Sequence, residues 1–177
     1  LFGPNGKDII SELKSLKENG LVNKIGVSIY EPEILGQISK LIDLDIVQVP
    51  YNIFDKRIFT SGWAERLKAD GVEIHVRSAF LQGLLLMTQD ELPKYFKSNW
   101  PDIFADWYCF QTRSGKEADH ISLSYVLKEP WVDKIVVGVD SADQLGRLLQ
   151  IEKSEDFGCY PDFKIDDINL IHPFNWK

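Results

Sequence analysis

The sequence has few features of a nucleic-acid-binding, membrane or disulfide-rich protein. It has 20 lysine and arginine residues against 27 aspartate and glutamate residues, and its net charge of -7 argues against nucleic acid or anionic lipid as a partner. No apolar run approaches the roughly 20 residues that span a bilayer, and no signal peptide opens the chain. Two cysteines, Cys109 and Cys159, have no motif spacing, which favours reduced thiols and a cytoplasmic location.

Two motifs that would indicate other chemistry are also missing. His75 and His120 lack a paired ligand at metal spacing, so no metal site is predicted. Residues 26–30 contain no G-x-G-x-x-G turn of the kind that holds a dinucleotide in doubly wound sheets. A barrel is therefore favoured over a doubly wound sheet.

Strand and helix patterns alternate along the chain, which predicts an α/β protein with a parallel sheet. The 177 residues suffice for a single domain, residues 1–177, but fall short of the roughly 250 of a complete (β/α)8 barrel. The alternating series begins with apolar residues at helical spacing before Gly20, and Gly20 stands at the position where that helix would end. Strands are predicted at residues 24–28, 45–51, 72–78 and 134–138. Four strand-helix units are expected.

The second helix and a later insertion are both predicted to contribute apolar side chains to the core. Pro32 is expected to open the second helix, whose predicted buried stripe is Leu35, Ile38, Leu41 and Ile42. Residues 81–115 form a long insertion with short helices expected around Glu91 and Asp102. Its aromatic side chains are predicted to pack in the core, with a wall beside the substrate as the alternative: Tyr95, Phe96, Trp100, Phe104, Trp107 and Tyr108.

The third strand has one apolar and one polar face. The alternating side chains are Val72, Ile74 and Val76 on the apolar face and Glu73, His75 and Arg77 on the polar face. If the apolar face packs under helices, the polar face points into the barrel, with Arg77 nearest the mouth.

Several short motifs occur in an order that is known from one family. Residues 24–28 (K-I-G-V-S) are similar to a G-V-S segment, residues 47–52 (V-Q-V-P-Y-N) to a Q-x-x-Y-N strand end, and residues 81–85 (L-Q-G-L-L) to a G-L-L loop. Residues 122–138 resemble the helix and last strand before a final cofactor loop, and residues 170–176 a proline-then-tryptophan tail. Together these motifs resemble the C-terminal half of an aldo-keto reductase barrel.

The resemblance implies a (β/α)8 TIM barrel of the aldo-keto reductase type, with only the second half, about four β/α units, in this chain. It implies NAD(P)H bound across the C-terminal mouth and hydride transfer to an aldehyde or ketone. The family's catalytic tyrosine, lysine, aspartate and histidine come from the first four strands, and Leu1 is expected just after the fourth, where the chain looks cut. No catalytic residue is therefore predicted here, and this chain alone is expected to be inactive.

The resemblance also implies roles for residues near the strand ends. Ser28 and Gln48 match positions that hydrogen-bond the nicotinamide carboxamide; alternatively, Ser28 begins a connection and Gln48 fills an inward polar position. Arg77, followed by Ser78 at the predicted site, stands where an aromatic residue usually stacks on the nicotinamide ring. The alternative for Arg77 is an ion pair with Glu73 or with a residue outside this chain.

The loop that begins at Gly138 matches the segment that grips the adenosine phosphate. Ser141 and Gln144 in this loop have the spacing of a capping box at a helix start, and both are predicted cofactor contacts. Asp140 and Asp143 stand where relatives carry basic residues, which favours NADH over NADPH. Leu148 replaces a common adenine-contacting asparagine.

Three functions follow from these observations as hypotheses. The first is the cofactor-binding part of an NAD(P)H-dependent reductase of small carbonyl substrates. The second is a non-catalytic barrel that binds nicotinamide nucleotide as a sensor or regulatory subunit, as in members that resemble channel-associated β-subunits. The third is a scaffold that self-associates or pairs with the other barrel half, because four parallel strands leave two unpaired edges.

Overall fold

One parallel sheet forms the centre of the fold in a computed structural model that describes residues 1–151 and 160–176. Its strands, in the order β1-β2-β3-β4, are β1 Gly26–Ser28, β2 Ile46–Pro50, β3 Glu73–Arg77 and β4 Lys134–Ile135. Every neighbouring pair is parallel. The predicted α/β class with a parallel sheet is therefore confirmed, and within the described ranges β1 and β4 are the open edges of the sheet.

Helices connect the strands, because a parallel pair requires a crossover. The helices are α1 Gly6–Glu18, α2 Leu35–Ile38, α3 Arg57–Thr60, α4 Trp63–Ala69, α5 Lys94–Asn99, α6 Pro101–Ser114, α7 Ala118–Leu127, α8 Ala142–Leu148 and α9 Ile168–Ile171. Short 3-10 turns add Pro32–Ile34, Leu84–Leu86 and Pro173–Asn175. No helix in the described part of the chain is both long and apolar enough to cross a membrane.

The two faces of the sheet differ as the alternation in the third strand predicts. The side chains that face the helices are completely buried: Val47, Val49, Ile74 and Val76. The other face carries half-buried polar side chains, namely Gln48, Glu73, His75 and Arg77. The register places Gln48 beside Ser28 on one side and beside His75 on the other. On this polar face, Arg77 is the last residue of β3 and therefore lies at the carboxyl ends of the strands.

The helix boundaries confirm one prediction and correct another. Gly20 has a φ of +70° and follows the end of α1, as its position predicts. Pro32 does not open a long helix, because it begins a 3-10 turn and α2 then ends at Ile38. Leu35, Ile38 and Ile42 are buried as predicted, but Leu41 lies beyond the helix end and is 41% exposed.

The fourth strand and the insertion also differ from the sequence-based expectation. β4 covers two residues rather than residues 134–138, because the ladder pairs it with β3 only at Lys134 and Ile135. No helix forms around Glu91, whose carboxylate accepts hydrogen bonds from Thr88 in a turn before α5. The helix near Asp102 is α6, which is 14 residues long rather than short.

The aromatic side chains of the insertion belong to the core, as predicted. The fully or largely buried ones are Phe96, Trp100, Phe104 and Trp107, whereas Tyr95 and Tyr108 are partly buried. The indole N–H of Trp107 donates to the carbonyl of Leu85 at 3.2 Å. Cys109 is an exposed free thiol, and Cys159 lies outside the described residues.

Candidate functional site

A cleft of about 650 Å³ opens at the carboxyl ends of the strands. This volume is within the roughly 300–1,000 Å³ of typical ligand sites. Five residues that the sequence singles out line it: Ser28, Arg77, Ser78, Gly138 and Gln144. They come from three segments that are far apart in the chain, at the ends of β1 and β3 and around the start of α8, so the fold brings them together.

The two other predicted contacts, Gln48 and Ser141, do not line the cleft. Gln48 is half-buried one strand away, and its Oε1 accepts a hydrogen bond from Ser28 Oγ at 3.3 Å. Gln48 therefore orients a side chain of the cleft. Ser141 is exposed and caps α8.

Arg77 is fixed by three contacts at the end of β3. Its Nη2 donates to the carbonyl of Ile29 at 3.0 Å, and its Nη1 donates to Ser78 Oγ at 3.2 Å. Its guanidinium carbon lies 4.0 Å from the centroid of the Tyr30 ring. Within the described residues it makes no ion pair with Glu73, whose carboxylate pairs with Lys24 instead. The alternative of an Arg77–Glu73 pair is therefore wrong.

The loop after β3 has an unusual backbone. Ser78, Leu81 and Gln82 have φ values of 60°, 46° and 55°, in the left-handed region that few residues other than glycine adopt. Such strain persists where the surroundings enforce it, often at functional sites. Asn52 is one cause, because its side-chain amide donates to the carbonyl of Ser78 at 3.0 Å.

Asn52 itself is completely buried and held by the turn after β2. Its Oδ1 accepts from the backbone N–H groups of Phe54 and Asp55, each at 2.9 Å. Asn52 is the last residue of the V-Q-V-P-Y-N segment. The sequence therefore indicated that it belongs to a motif, but not that it supports the loop after β3. Contacts 26 residues apart have no local signal in a sequence.

Further cleft residues were not predicted from the sequence. They include Tyr30, Phe80 and Leu86. Gln82, which also lines the cleft, belongs to the L-Q-G-L-L motif. This motif was the sequence pattern that indicated this side of the cleft. Tyr30 follows the G-V-S motif by two residues, but nothing in its local pattern indicates that it supports Arg77.

The start of α8 forms the far wall of the cleft. Ser141 Oγ accepts from Gln144 N at 3.1 Å, which confirms the predicted helix cap. Gln144 Oε1 accepts from Asp140 N at 2.8 Å rather than from Ser141 N, so the reciprocal half of the capping box is shifted by one residue. Asp140 lines the cleft, and Asp143 is exposed outside it.

A second cleft of about 490 Å³ shares Leu86 and Gln144 with the first. Arg147 and Asp119 line it and lie 3.7 Å apart across it. Leu148 does not face either cleft: it is 5% exposed and lines an apolar groove between α7 and β4. It therefore belongs to the packing of α8.

Tyr51 is excluded from the cleft by its position on the helix side of the sheet. Its hydroxyl donates to Glu129 Oε1 at 3.0 Å, and its ring stacks on Tyr125 at 5.6 Å between centroids. Burial and the neighbouring Tyr125 hydroxyl raise the pKa of Tyr51 far above its usual value. Tyr51 is thus a core residue.

The residues described by the structure include no group of three or more His, Cys, Asp or Glu side chains that could hold a metal ion. His75 Nε2 lies 3.9 Å from Glu73 Oε2 on the polar face of the sheet. His120 lies in the first turn of α7.

Comparisons with known proteins identify a family and a fold for this chain. Residues 6–157 match the profile of the aldo/keto reductase family. The uncharacterized oxidoreductase YqkF of Bacillus subtilis strain 168 is 22% identical over 157 residues, which are 82% of this chain and 50% of that protein. The chain thus spans about half the length of this curated relative.

Solved structures show the same fold. The apo form of aldo-keto reductase AKR11C1 from Bacillus halodurans matches with a TM-score of 0.69 and 20% identity, covering 88% of this chain and 53% of that one. The glycerol dehydrogenase AKR11B4 from Gluconobacter oxydans matches with a TM-score of 0.55 and 19% identity, covering 88% and 57% respectively. At these identities the likeness is one of fold.

Proposed function

Because this chain belongs to the aldo/keto reductase family, we propose that its cleft binds NAD(P)H as part of an oxidoreductase that reduces aldehydes or ketones. The observation that carries the proposal is the meeting of Ser28, Arg77 and Ser78 with Gly138 and Gln144 around one cleft. NAD(P)H, when bound, supplies the hydride for the carbonyl carbon. In this reaction, the role of this chain is to bind and orient the cofactor.

The polar groups around the cleft have the chemistry that a nicotinamide nucleotide requires. The Ser28 hydroxyl lines the cleft and offers an acceptor to a carboxamide, and Gln48 Oε1 holds this hydroxyl at 3.3 Å. On the opposite wall no heavy atom lies within 4 Å of the Cβ position at Gly138, among the described residues, so a ligand can approach the backbone. These features support the cofactor-binding residues inferred from the sequence.

The acidic start of α8 supports NADH rather than NADPH as the preferred cofactor. Asp140 lines the cleft and Asp143 lies in the first turn of α8. Their carboxylates would repel a 2′-phosphate and can accept a hydrogen bond from a ribose hydroxyl instead. The basic Arg147 nearby faces Asp119 at 3.7 Å, which offsets part of its charge.

No residue of this chain is assigned the proton-donating role in the proposed reaction. Tyr51, the tyrosine of the V-Q-V-P-Y-N motif, faces Glu129 in the core rather than the cleft. We therefore propose that the 177 residues bind cofactor without reducing a carbonyl by themselves. Steady oxidation of NADH by the purified chain in the presence of aldehydes would contradict this part of the proposal.

Substituting Gln48→Ala tests the cofactor site. Loss of the acceptor that orients the Ser28 hydroxyl is expected to weaken NADH binding about two- to tenfold, while the free energy of unfolding changes little because Gln48 is only half-buried. Fluorescence titration with NADH measures the affinity, and urea denaturation measures the stability.

Gln37→Ala is the matched control, because Gln37 is exposed on α2 and does not line the cleft. Equal NADH affinity in Gln48→Ala and the unmodified protein would remove Gln48 from the site. Absence of NADH and NADPH binding by the unmodified protein would refute the cofactor-binding function as a whole.

A further inference from the structure

Among the residues that the structure describes, Arg77 is a positive charge in the cleft that has no carboxylate partner. Within the described residues, the acceptors of its hydrogen bonds are the neutral Ile29 carbonyl and Ser78 hydroxyl. These use two of the five N–H groups of a guanidinium. A half-buried charge without a counterion is unfavourable unless a ligand supplies one.

The orientation of Arg77 is set by aromatic packing. The Tyr30 ring supports the guanidinium at 4.0 Å and is itself flanked by the rings of His172 and Phe174, at 4.9 and 5.2 Å between centroids. Asp167 holds the segment before these two residues, because its carboxylate accepts from the indole N–H of Trp100 at 3.0 Å. The cation is therefore positioned before any ligand arrives.

The surroundings of Arg77 favour an anion. Among the described residues that line the cleft, the charged side chains are Arg77 and Asp140. Asp140 is exposed on the wall formed by the start of α8, whereas the Ser78 hydroxyl lies 3.2 Å from Arg77 Nη1 and accepts from it. A planar guanidinium beside a hydroxyl whose own proton is free to donate matches the geometry of a carboxylate or a phosphate.

We propose that Arg77 binds an anionic group, a carboxylate or a phosphate, of the molecule that occupies the cleft. This inference adds detail to the proposed function. It rests on that function for the identity of the molecule that carries the anion. The anion belongs either to a carbonyl substrate with a carboxylate or to the pyrophosphate of the cofactor. Both present the same chemistry to Arg77, and the experiment separates them.

Titration of the full 177-residue chain with three probes tests the proposal. The probes are inorganic pyrophosphate, pyruvate, and methyl pyruvate as the neutral counterpart of pyruvate. Replacing Arg77 by Gln removes the charge, and the affinity for at least one anion is expected to fall about tenfold or more, as for loss of a charged hydrogen bond. Calorimetry measures the affinities, and circular dichroism checks the fold.

Arg66→Gln is the matched control, because its guanidinium also stacks on an aromatic ring, that of Trp63 at 5.2 Å, but lies on α4 outside the cleft. Its anion affinities should equal those of the unmodified protein. If Arg77→Gln fails to fold, Arg77→Met replaces it, because its apolar stem can still pack on Tyr30, and the same loss is expected.

If the Arg77 substitution lowers the affinity for pyrophosphate alone, the site is supported and the anion belongs to the cofactor. If it lowers the affinity for pyruvate but not for methyl pyruvate, the site is supported and the anion belongs to the substrate. Equal binding of both anions by the unmodified and Arg77-substituted proteins, or no binding of either, would overturn the proposal. NADH titration of the same samples separates the two proposals: absence of NADH binding with Arg77-dependent anion binding would refute the cofactor function and leave the anion site.

Discussion

Two aspartates perform the same structural role at the amino ends of β2 and β4. Asp45 accepts the backbone N–H of Ile25 at 2.9 Å and the ammonium of Lys17 at 2.6 Å. Asp133 accepts the N–H of Ile74 at 2.7 Å and the ammonium of Lys68 at 2.8 Å. Each carboxylate thus satisfies a backbone donor at the sheet and pairs with a lysine from a helix.

Asp45→Asn is expected to lower the free energy of unfolding by about 1 kcal/mol at neutral pH. The Lys17 ammonium, and then the Ile25 N–H, hold the pKa of Asp45 below its usual value of 3.8. A depressed folded-state pKa means that the carboxylate stabilises the protein above pH 3.8 and that this contribution is lost as the pH falls through the lower, folded-state value. Urea denaturation at several pH values measures the effect.

The difference between Asp45→Asn and the unmodified protein should therefore shrink on acidification from neutral pH. Asp43→Asn is the control, because Asp43 is exposed two residues away. A stability difference of the same size at pH 3 and pH 7 would show that the charge of Asp45 is not its cause.

At the scale of elements, β1 depends on a glycine. Gly26 pairs with Ile46 of β2, and a Cβ added at Gly26 would lie 2.2 Å from the Ile46 carbonyl oxygen. Real Cβ atoms do not approach backbone so closely, and a backbone carbonyl in a ladder cannot rotate away as a side chain can. The glycine of the G-V-S motif is therefore required by strand packing, whatever its relation to ligand binding.

Gly26→Ala is expected to lower the free energy of unfolding by about 1–3 kcal/mol, because the added methyl forces β1 away from β2. Thermal denaturation measures the change. Gly36→Ala is the control: its Cβ would lie 3.5 Å from the Trp63 ring, an ordinary contact, and alanine is the better residue within helix α2. Equal melting temperatures for Gly26→Ala and the unmodified protein would contradict the argument.

At the scale of the whole molecule, the described residues form a four-stranded sheet with two open edges. β1 and β4 each have a strand neighbour on one side within the described residues. Beside β4 lies an apolar groove of about 470 Å³, where Leu145 is 40% and Leu149 is 76% exposed. Unpaired edges beside exposed apolar surface promote association.

We expect the 177-residue chain to self-associate, so that its mean mass by light scattering rises with concentration. Leu149→Lys should reduce this rise, because it places a charge in the groove beside β4. Phe59→Lys is the matched control: Phe59 is 55% exposed but lies on α3, away from that groove. A monomeric mass at every concentration would contradict the expectation.

The sequence by itself determined the order of strands and helices, the parallel sheet, the end of α1 near Gly20 and the cap at Ser141. These depend on residues within a few positions of each other, whose spacing and capping groups a sequence displays directly. The sequence did not give the early end of α2, which exposes Leu41, or the length of β4, because pairing with β3 decides where that strand stops.

Only tertiary structure decided the contacts within the site. It set Arg77 on Tyr30 and on the Ile29 carbonyl, 48 residues away, in place of Glu73, and it joined the loops after β1, β3 and β4 in one cleft. It also turned Gln48 toward Ser28 rather than into the cleft. Such contacts form because distant segments converge at the carboxyl ends of parallel strands, and no local pattern of residues records which side chains meet there.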